Sequence, residues 1–388
     1  MPRISGEYVV CTTSGEEFRA FIPRPLPPDP PLAISPELLA LQEQANQALG
    51  RLDGISNILP DVDLFLYHYV RKEAVLSSQI EGTQSTYTDL LRYELEGAPG
   101  VPVDDVREVS NYVAAINHGL ERLRGGFPFS LRLIREMHEI LLSHGRGAEK
   151  MPGEFRRSQV WLGGTRPGNA RFVPPPPERL MECLDPFEHF LHDGRGKLPV
   201  LVRAGLMHVQ FETIHPFLDG NGRLGRMLIT LMLCEEGALR QPLLYLSLHF
   251  KLNRMDYYDW LQKVRADGNW EGWLMFFLSG IRDTCQQAVA TAQTMLKLFD
   301  DDRKRLQTIG RRASSCLQVH NYLQRKPLCH IEVISRATDL TRKTVTKCLE
   351  AMQELGMVRE TTGQRRHRLF AYDAYLRALS EGTEPLVQ

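Results

Sequence analysis

The residues His215-Pro216-Phe217-Leu218-Asp219-Gly220-Asn221-Gly222, followed by Arg223 and Arg226, bring together a candidate base, a carboxylate, a glycine-flanked amide and two guanidiniums. Such a set can hold a nucleotide triphosphate beside a proton acceptor. Glycines expose backbone N–H groups, and the apolar run Leu224–Cys234 behind them reads as a buried helix. A glycine-rich loop that opens a helix is an anion site, because unpaired amides and the helix dipole both favour negative charge. Gly222 has no Cβ, so a phosphate can come close to the main chain. Asp219 is placed to bind Mg²⁺, and the arginines can clamp phosphate oxygens bidentately. His215 can accept a proton near neutral pH.

The loop needs a scaffold, and the chain is long enough to supply one. Its 388 residues exceed one ordinary domain and suggest two or three. The 47 basic and 47 acidic residues balance, so no global attraction to a polyanion is implied. A hydrophobic content of 43% suits a substantial core. The seven cysteines, at 11, 183, 234, 285, 316, 329 and 348, have no metal or redox spacing, which favours a reducing compartment. With neither a signal-peptide pattern at the start nor an apolar run of spanning length, the reading is a cytoplasmic protein.

Most of the chain reads as helix. Tyr8-Val9-Val10 and Phe18–Ile22 are β-like, and a proline-rich stretch from Pro23 to Pro31 follows as an extended lead-in. Ser35-Pro36-Glu37 reads as an N-cap with proline at N1, opening a helix through Leu49. A second helix is expected from Asp61 to Ile80, and the pattern from Val106 to Leu278 is repeatedly helical. The exception is 155–173, where Phe155–Leu162, Gly163-Gly164 and Ala170–Val173 read as a β-hairpin stopped by Pro174–Pro177. Residues 281–308 read as a helical connector. Beyond it, Ile331–Thr338 and Thr341–Leu355 form two helices, Gly356 ends the second, and two strands follow around Thr362-Gly363. Helix, turn, helix, hairpin is the winged-helix pattern.

The stretch from Phe211 to Arg226 resembles the signature of Fic-domain proteins, contiguous over ten fixed positions. The alternative, a helix-capping Gly-Asn-Gly turn with surface arginines, does not explain so full a match. The resemblance implies a mainly α chain: a helical Fic fold with a β-hairpin flap, plus the C-terminal winged helix found in many bacterial relatives. It divides the chain into an N-terminal region with an inhibitory helix (1–105), a catalytic domain (106–290), a helical connector (291–311) and the winged helix (312–388). It further implies a protein adenylyltransferase that moves AMP from ATP to a Ser, Thr or Tyr hydroxyl of a protein, with Mg²⁺. By analogy His215 is the catalytic base and Asp219 the metal ligand. Gly220, Asn221, Gly222, Arg223, Gly225 and Arg226 hold phosphates, with Tyr257 and Tyr258 near adenine. Val160, Trp161 and Leu162 belong to the flap that aligns the target by strand addition. Relatives that phosphorylate their targets carry Lys in place of Gly222, so AMP is favoured as the group moved. His208, on the preceding helix, reads as a packed residue.

Ser77-Ser78-Gln79-Ile80-Glu81-Gly82 is similar to the inhibitory signature of the same family. Ser77 and Glu81 lie about one helical turn apart and share a face, and Gly82 can end the helix in a left-handed conformation. The resemblance implies that Glu81 pairs with Arg226 and so restrains the enzyme. In some relatives the same glutamate supports removal of AMP, a second activity for this site. Relatives also modify themselves and dimerise, so a homodimer is expected. A different class of function is a nucleotide-sensing DNA-binding regulator. Thr341–Phe370 carries seven Lys/Arg against three Asp/Glu, with Arg342, Lys343 and Lys347 on the second helix and Arg365, Arg366 and Arg368 on the wing. Whole-chain neutrality weakens that reading.

Overall fold

The computed structural model describes residues 3–13, 15–56, 62–96, 103–193, 198–364 and 367–386. Two strands, β1 (Gly6–Thr13) and β2 (Glu16–Pro23), pair antiparallel through the turn at Gly15, whose φ is +80°. The expected β-like segments are therefore one hairpin. Its inner residues Phe18 and Ala20 pack on Val173, and Phe21 N–H donates to the Val173 carbonyl at 2.9 Å.

Among the described residues eleven α-helices follow: α1 (Pro36–Ile55), α2 (Val62–Ile80), α3 (Tyr87–Glu96), α4 (Val103–Arg124), α5 (Leu131–Leu141), α6 (Leu180–Asp193), α7 (Val200–Ile214), α8 (Asn221–Glu235), α9 (Ser247–Leu252), α10 (Arg254–Asp267) and α11 (Trp270–Gln307). Ser35 caps α1 as expected, accepting from Leu38 N at 3.2 Å with Pro36 in the first turn. Residues 201–214 of α7 are all buried, which makes it the central helix and explains its apolar character on every face. α8 packs beside it, buried along most of its length. Trp273 on α11 is fully buried and donates its Nε1–H to the Gly205 carbonyl of α7 at 2.9 Å. A Cβ at Gly205 would lie 3.0 Å from Leu274, so glycine permits this close crossing. No helix among the described residues is long and apolar enough to cross a membrane.

The segment read as a flap hairpin, 155–173, contains only an isolated antiparallel bridge, Leu162 to Phe172. The strand before it does not form because its backbone is engaged elsewhere. Arg156 N–H donates to the Pro216 carbonyl at 2.9 Å, and the Arg156 side chain is buried against the loop. Val160 and Leu162 are half-buried and Trp161 is exposed.

The C-terminal unit comprises α12 (Ala313–Arg325), β3 (Leu328–His330), α13 (Ile331–Thr338), α14 (Arg342–Glu354), β4 (Arg359–Glu360), β5 (Leu369–Ala371) and α15 (Asp373–Ser380). Its small sheet has the order β3-β5-β4, antiparallel throughout. The two expected helices and the hairpin are present, and Gly356 ends α14 with φ +71°. Arg365 and Arg366 of the wing lie outside the described residues. The expected boundary at 290/291 falls inside α11, which is one continuous 38-residue helix. It holds no proline that would break it.

The end of the chain turns back onto α2. Gln79, 1% exposed, donates through Nε2 to the Ser85 and Thr383 carbonyls, both at 2.8 Å. Lys251 of α9 donates to the Gly382 carbonyl at 2.8 Å. Replacing Gln79→Ala leaves two buried carbonyls without that donor and is expected to cost roughly 1–3 kcal/mol, read from the urea midpoint. An unchanged midpoint would show that the tail does not hold α2.

Candidate active site

α7 ends where the chemistry begins. His215 takes the left-handed conformation, φ +50° and ψ +61°, closes the helix by donating its N–H to the Phe211 carbonyl, and is followed at once by Pro216. Gly220, with φ +78°, turns the chain into α8. Two reversals within six residues therefore frame the loop.

The loop is held from inside and outside. Asn221 accepts from Phe217 N–H at 3.0 Å and donates Nδ2 to the Phe217 carbonyl at 2.9 Å. Its side-chain amide thus closes the loop on itself. His138 of α5 accepts at Nδ1 from Gly153 N–H at 2.9 Å, which leaves its Nε2–H to donate to the Asp219 carbonyl at 3.0 Å. The same ring stacks on Phe217 with centroids 3.7 Å apart, a contact worth about 0.5–1.5 kcal/mol beyond area burial. Burial pushes His138 down to about 4, so it stays neutral and keeps this tautomer. Arg156 donates Nε to the His215 carbonyl at 2.8 Å.

His215 is partly buried and its Nδ1 has no hydrogen-bond partner. Burial, then Arg156 and Arg265, push its pKa down to about 3, leaving it unprotonated at neutral pH. His208 is fully buried; its Nδ1 lies 3.1 Å from the Gly225 carbonyl and its Nε2 2.8 Å from the Tyr257 hydroxyl. It is a packing residue, and it consumes the Tyr257 hydroxyl. Tyr257, 1% exposed, and the half-buried Tyr258 both line the cavity described below.

The segment Ser77–Gly82 lies against this loop. Arg226 donates Nη2 to Glu81 Oε1 at 2.7 Å and to the Ser77 carbonyl at 3.0 Å, while its Nε donates to Ser77 Oγ at 2.9 Å. Ser77 and Glu81 thus reach one guanidinium from one face of α2 and its extension, and Gly82 follows with φ +98°. Glu81 Oε1 would lie 2.3 Å from a Cβ at Gly222, so the carboxylate rests on the first turn of α8. That turn offers free N–H groups and a positive dipole end. The anion site holds the protein's own carboxylate. Burial works against its charge, but Arg226, with Arg223 and His215, holds Glu81 below its ordinary value. For Arg226, Glu81 overcomes burial and holds the guanidinium above its usual range.

Arg223 is 1% exposed and donates to Glu108 of α4 at 3.1 Å, with Asp219 Oδ1 3.7 Å away. Glu108 also meets Arg146 at 3.3 Å and Thr83 Oγ1 at 3.4 Å. Glu73, one turn before Ser77, is buried between Ser247 and Tyr112, and burial pushes it up to about 7. Gly225 allows α7 and α8 to approach, since a Cβ there would lie 2.4 Å from Glu212 Oε1. Asp219 accepts from its neighbour Gly220 N–H at 2.6 Å and is about a third exposed. Among the described residues no group of three or more His, Cys, Asp or Glu could hold a metal by itself. One accessible carboxylate fits Mg²⁺ that arrives with phosphates, because that ion takes one or two carboxylates and fills its shell with phosphate and water.

A cavity of about 360 Å³ joins these parts, lined by Glu81, His215, Gly222 and Arg226 on one side and by Phe172 and Tyr258 on another. The sequence had not pointed to Glu108, His138, Arg156 or Glu212, whose partners lie far away along the chain.

Comparison with known proteins gives this site its context. Residues 39–121 match the Fic/DOC family N-terminal region and residues 128–233 the Fic/DOC family. The chain is similar to the Protein adenylyltransferase Fic of Drosophila grimshawi, 34% identical over 139 residues, which are 36% of this chain and 27% of that protein. It is also similar to the Aedes aegypti protein of the same name, 34% identical over 165 residues, 42% of this chain and 30% of that one. The matched part thus spans about a third or less of those relatives' length. Among solved structures, a Fic family protein from Desulfovibrio desulfuricans G20 shares the fold over 88% of this chain and 97% of its own, with TM-score 0.57 and 21% identity. Fic-1 of C. elegans covers 67% and 75%, with TM-score 0.50 and 22% identity.

The lowered Glu81 value fixes the sign of a pH effect. A carboxylate depressed in the folded state stabilises it above the ordinary value of 4.5 and loses that contribution as pH falls through the folded value. The stability gap between wild type and Glu81→Gln should therefore be constant from about pH 6 to 8 and shrink in acid below the ordinary value. Denaturant unfolding across pH measures it, and a gap that closes near neutrality would contradict the ionised clamp.

Proposed function

The chain carries a Fic domain preceded by a Fic/DOC N-terminal region, and from that premise we propose that it transfers AMP from ATP to a hydroxyl of a protein and is restrained by Glu81. The observation that carries the reading is the Glu81 carboxylate seated on Arg226 at the start of α8, where a nucleotide's terminal phosphate would otherwise go.

In the proposed reaction a Ser, Thr or Tyr hydroxyl oxygen attacks the α-phosphorus of ATP. The new P–O bond forms as the bond to the β-phosphate oxygen breaks, and pyrophosphate leaves. His215 takes the hydroxyl proton; it is unprotonated at neutral pH, and general-base help of this kind is worth roughly 10²–10⁴-fold. The N–H groups of the first turn of α8, opened by Gly220 and Gly222, face the phosphates. Arg223 is assigned to the β-phosphate and Arg226, once released, to the γ-phosphate. Mg²⁺ held by Asp219 would neutralise charge on the phosphates. Leu162 borders the cavity on the side where a target segment would lie, with Val160 and Trp161 just before it in the chain, and the single bridge at Leu162 gives strand addition a short template.

The clamp restrains the reaction by competition for one guanidinium. Arg226 is buried, so it is costly to leave uncompensated, and it pairs either with Glu81 or with phosphate. The DNA-binding alternative has less support. Arg368 pairs with Glu360 at 2.8 Å and Arg342 lies 3.8 Å from Glu332, which lowers the charge free to meet phosphates.

Incubating wild type, Glu81→Gly and His215→Ala with α-labelled ATP and Mg²⁺ tests this reading. Label on protein is expected to be strong in Glu81→Gly, at least tenfold weaker in wild type and absent in His215→Ala. Equal labelling of wild type and Glu81→Gly would remove the restraint. Labelling that survives in His215→Ala would remove the base.

A further inference from the structure

The restraint depends on where α2 stops. Gly82 turns left-handed, with φ +98°, and its N–H donates to the Gln79 carbonyl at 3.1 Å, while the Thr83 N–H reaches back to the Ser78 carbonyl at 3.2 Å. This pair of bonds is the Schellman closure of a helix, and it makes Glu81 the residue on which the chain turns. It satisfies two of the four carbonyls that a helix leaves open at its end. The next one, on Ile80, receives no backbone N–H among the described residues, since the Gln84 N–H goes instead to Asp105 Oδ2 at 2.8 Å.

Arg254 of α10 supplies that donor. Its Nε donates to the Ile80 carbonyl at 3.1 Å. The last turn of α2 holds no basic residue of its own, so the cation that its negative dipole end favours comes from another helix. For α10 the arrangement is unfavourable, because Arg254 is its first residue, where the helix dipole is positive. A residue that opposes its own helix while completing another marks a task beyond local stability.

The capped oxygen belongs to the peptide unit that joins Ile80 to Glu81. That unit is planar, so holding its ends fixes where the Glu81 Cα sits. Arg254 holds the oxygen, and the Glu81 N–H at the other end donates to the Ser78 carbonyl at 3.0 Å. From that Cα the Glu81 side chain reaches Arg226 at 2.7 Å. Arg254 is exposed, and its guanidinium carbon lies 5.5 Å from the centroid of the Tyr258 ring. Its bond is made against water, so losing it loosens the turn without unfolding α2, which Tyr69 and Gln79 hold from within.

Resting on the restrained-transfer reading, we infer that Arg254 is the positioning residue of the restraint: by capping Ile80 it fixes the turn from which Glu81 reaches Arg226. It acts through Glu81 and has no part in the transfer itself.

The test follows label from α-labelled ATP, with Mg²⁺, in wild type and Arg254→Met, and in Glu81→Gly with and without Arg254→Met. Hydrogen exchange of the peptide 79–84 is read alongside. Methionine keeps a stem beside Tyr258 and removes the donor. Arg254→Met should label about three- to tenfold more than wild type, the range that one lost hydrogen bond allows, with faster exchange over 79–84. A gain of label is a change that misfolding does not produce. No rise is expected in Glu81→Gly, where no clamp is left to loosen. Arg254 also borders the cavity, so a role in holding nucleotide would give the opposite sign, a loss of label in both backgrounds, and would overturn the inference. An equal rise in both backgrounds, or no rise over wild type while Glu81→Gly labels strongly, would overturn it too. If Glu81→Gly takes no label, the transfer reading fails and exchange alone decides: faster exchange upholds the cap, and unchanged exchange overturns it as well.

Discussion

The rest of the site is organised around one buried guanidinium. Arg226 cannot stand alone where it is, because a buried charge without a partner costs several kcal/mol, of order 3–5 when a pair is broken. Every element that meets it supplies an acceptor: Ser77 twice, Glu81 once, with Glu73 buried further back on the same face of α2. The sequence satisfies this demand by spacing. Residues 73, 77 and 81 recur at one-turn intervals, so a single helix can present all three to one point. The constraint also explains why α2 is buried without a break from Lys72 to Ile80, unlike an ordinary amphipathic surface helix.

A second constraint is that the loop must keep two left-handed residues while remaining open to solvent on one side. His215 has a side chain and pays a conformational cost in that region that Gly220 does not. The surroundings overdetermine it. Arg156 holds its carbonyl, Phe211 its amide, and Pro216 is fixed by Arg156 N–H. Asn221 closes the turn on Phe217, and His138 both stacks on Phe217 and holds the Asp219 carbonyl. Preorganisation of this kind lets a base and an anion site keep their relation without help from a ligand.

How much of this was legible in the sequence follows from chain separation. The loop is contiguous, so its glycines, arginines and histidine could be read as one unit, and the helical frame followed from periodicity. The Ser77–Glu81 turn could be read for shape, while its pairing with Arg226, 145 residues away, came only from resemblance. Glu108 and Arg223 are 115 residues apart, and Arg156 and His215 are 59 apart, with no local pattern linking them. The hairpin expected over 155–173 reduces to the single Leu162–Phe172 bridge, because Arg156 is drawn inward by the loop carbonyls. Asn221 reads in the sequence as a ligand group of a phosphate-type loop, and only geometry reveals that its side chain also caps the loop. The expected division at 290/291 lies inside the continuous α11, because a charged helix surface looks the same whether it connects domains or runs through one.

The same packing limits how the proposed restraint could be lifted. Moving α2 as a body would break the Tyr69 hydroxyl bond to the Ala288 carbonyl, the Glu73 bonds to Ser247, and the Gln79 bonds to Ser85 and Thr383. Each leaves a buried group unpaired at about 1–3 kcal/mol, a total no single phosphate contact offsets. Glu81 is different. It lies just beyond the last helical residue, about a third exposed, and is followed by Gly82 in a conformation that ends the helix. Rotating its side chain away from Arg226 breaks one ion pair while Ser77 keeps two bonds to the same guanidinium. A phosphate that then takes the place of the carboxylate restores the charge balance. Release by side-chain exchange at the helix end therefore requires far less than release by helix movement, and the rigid α2 serves to aim Glu81 rather than to carry it away.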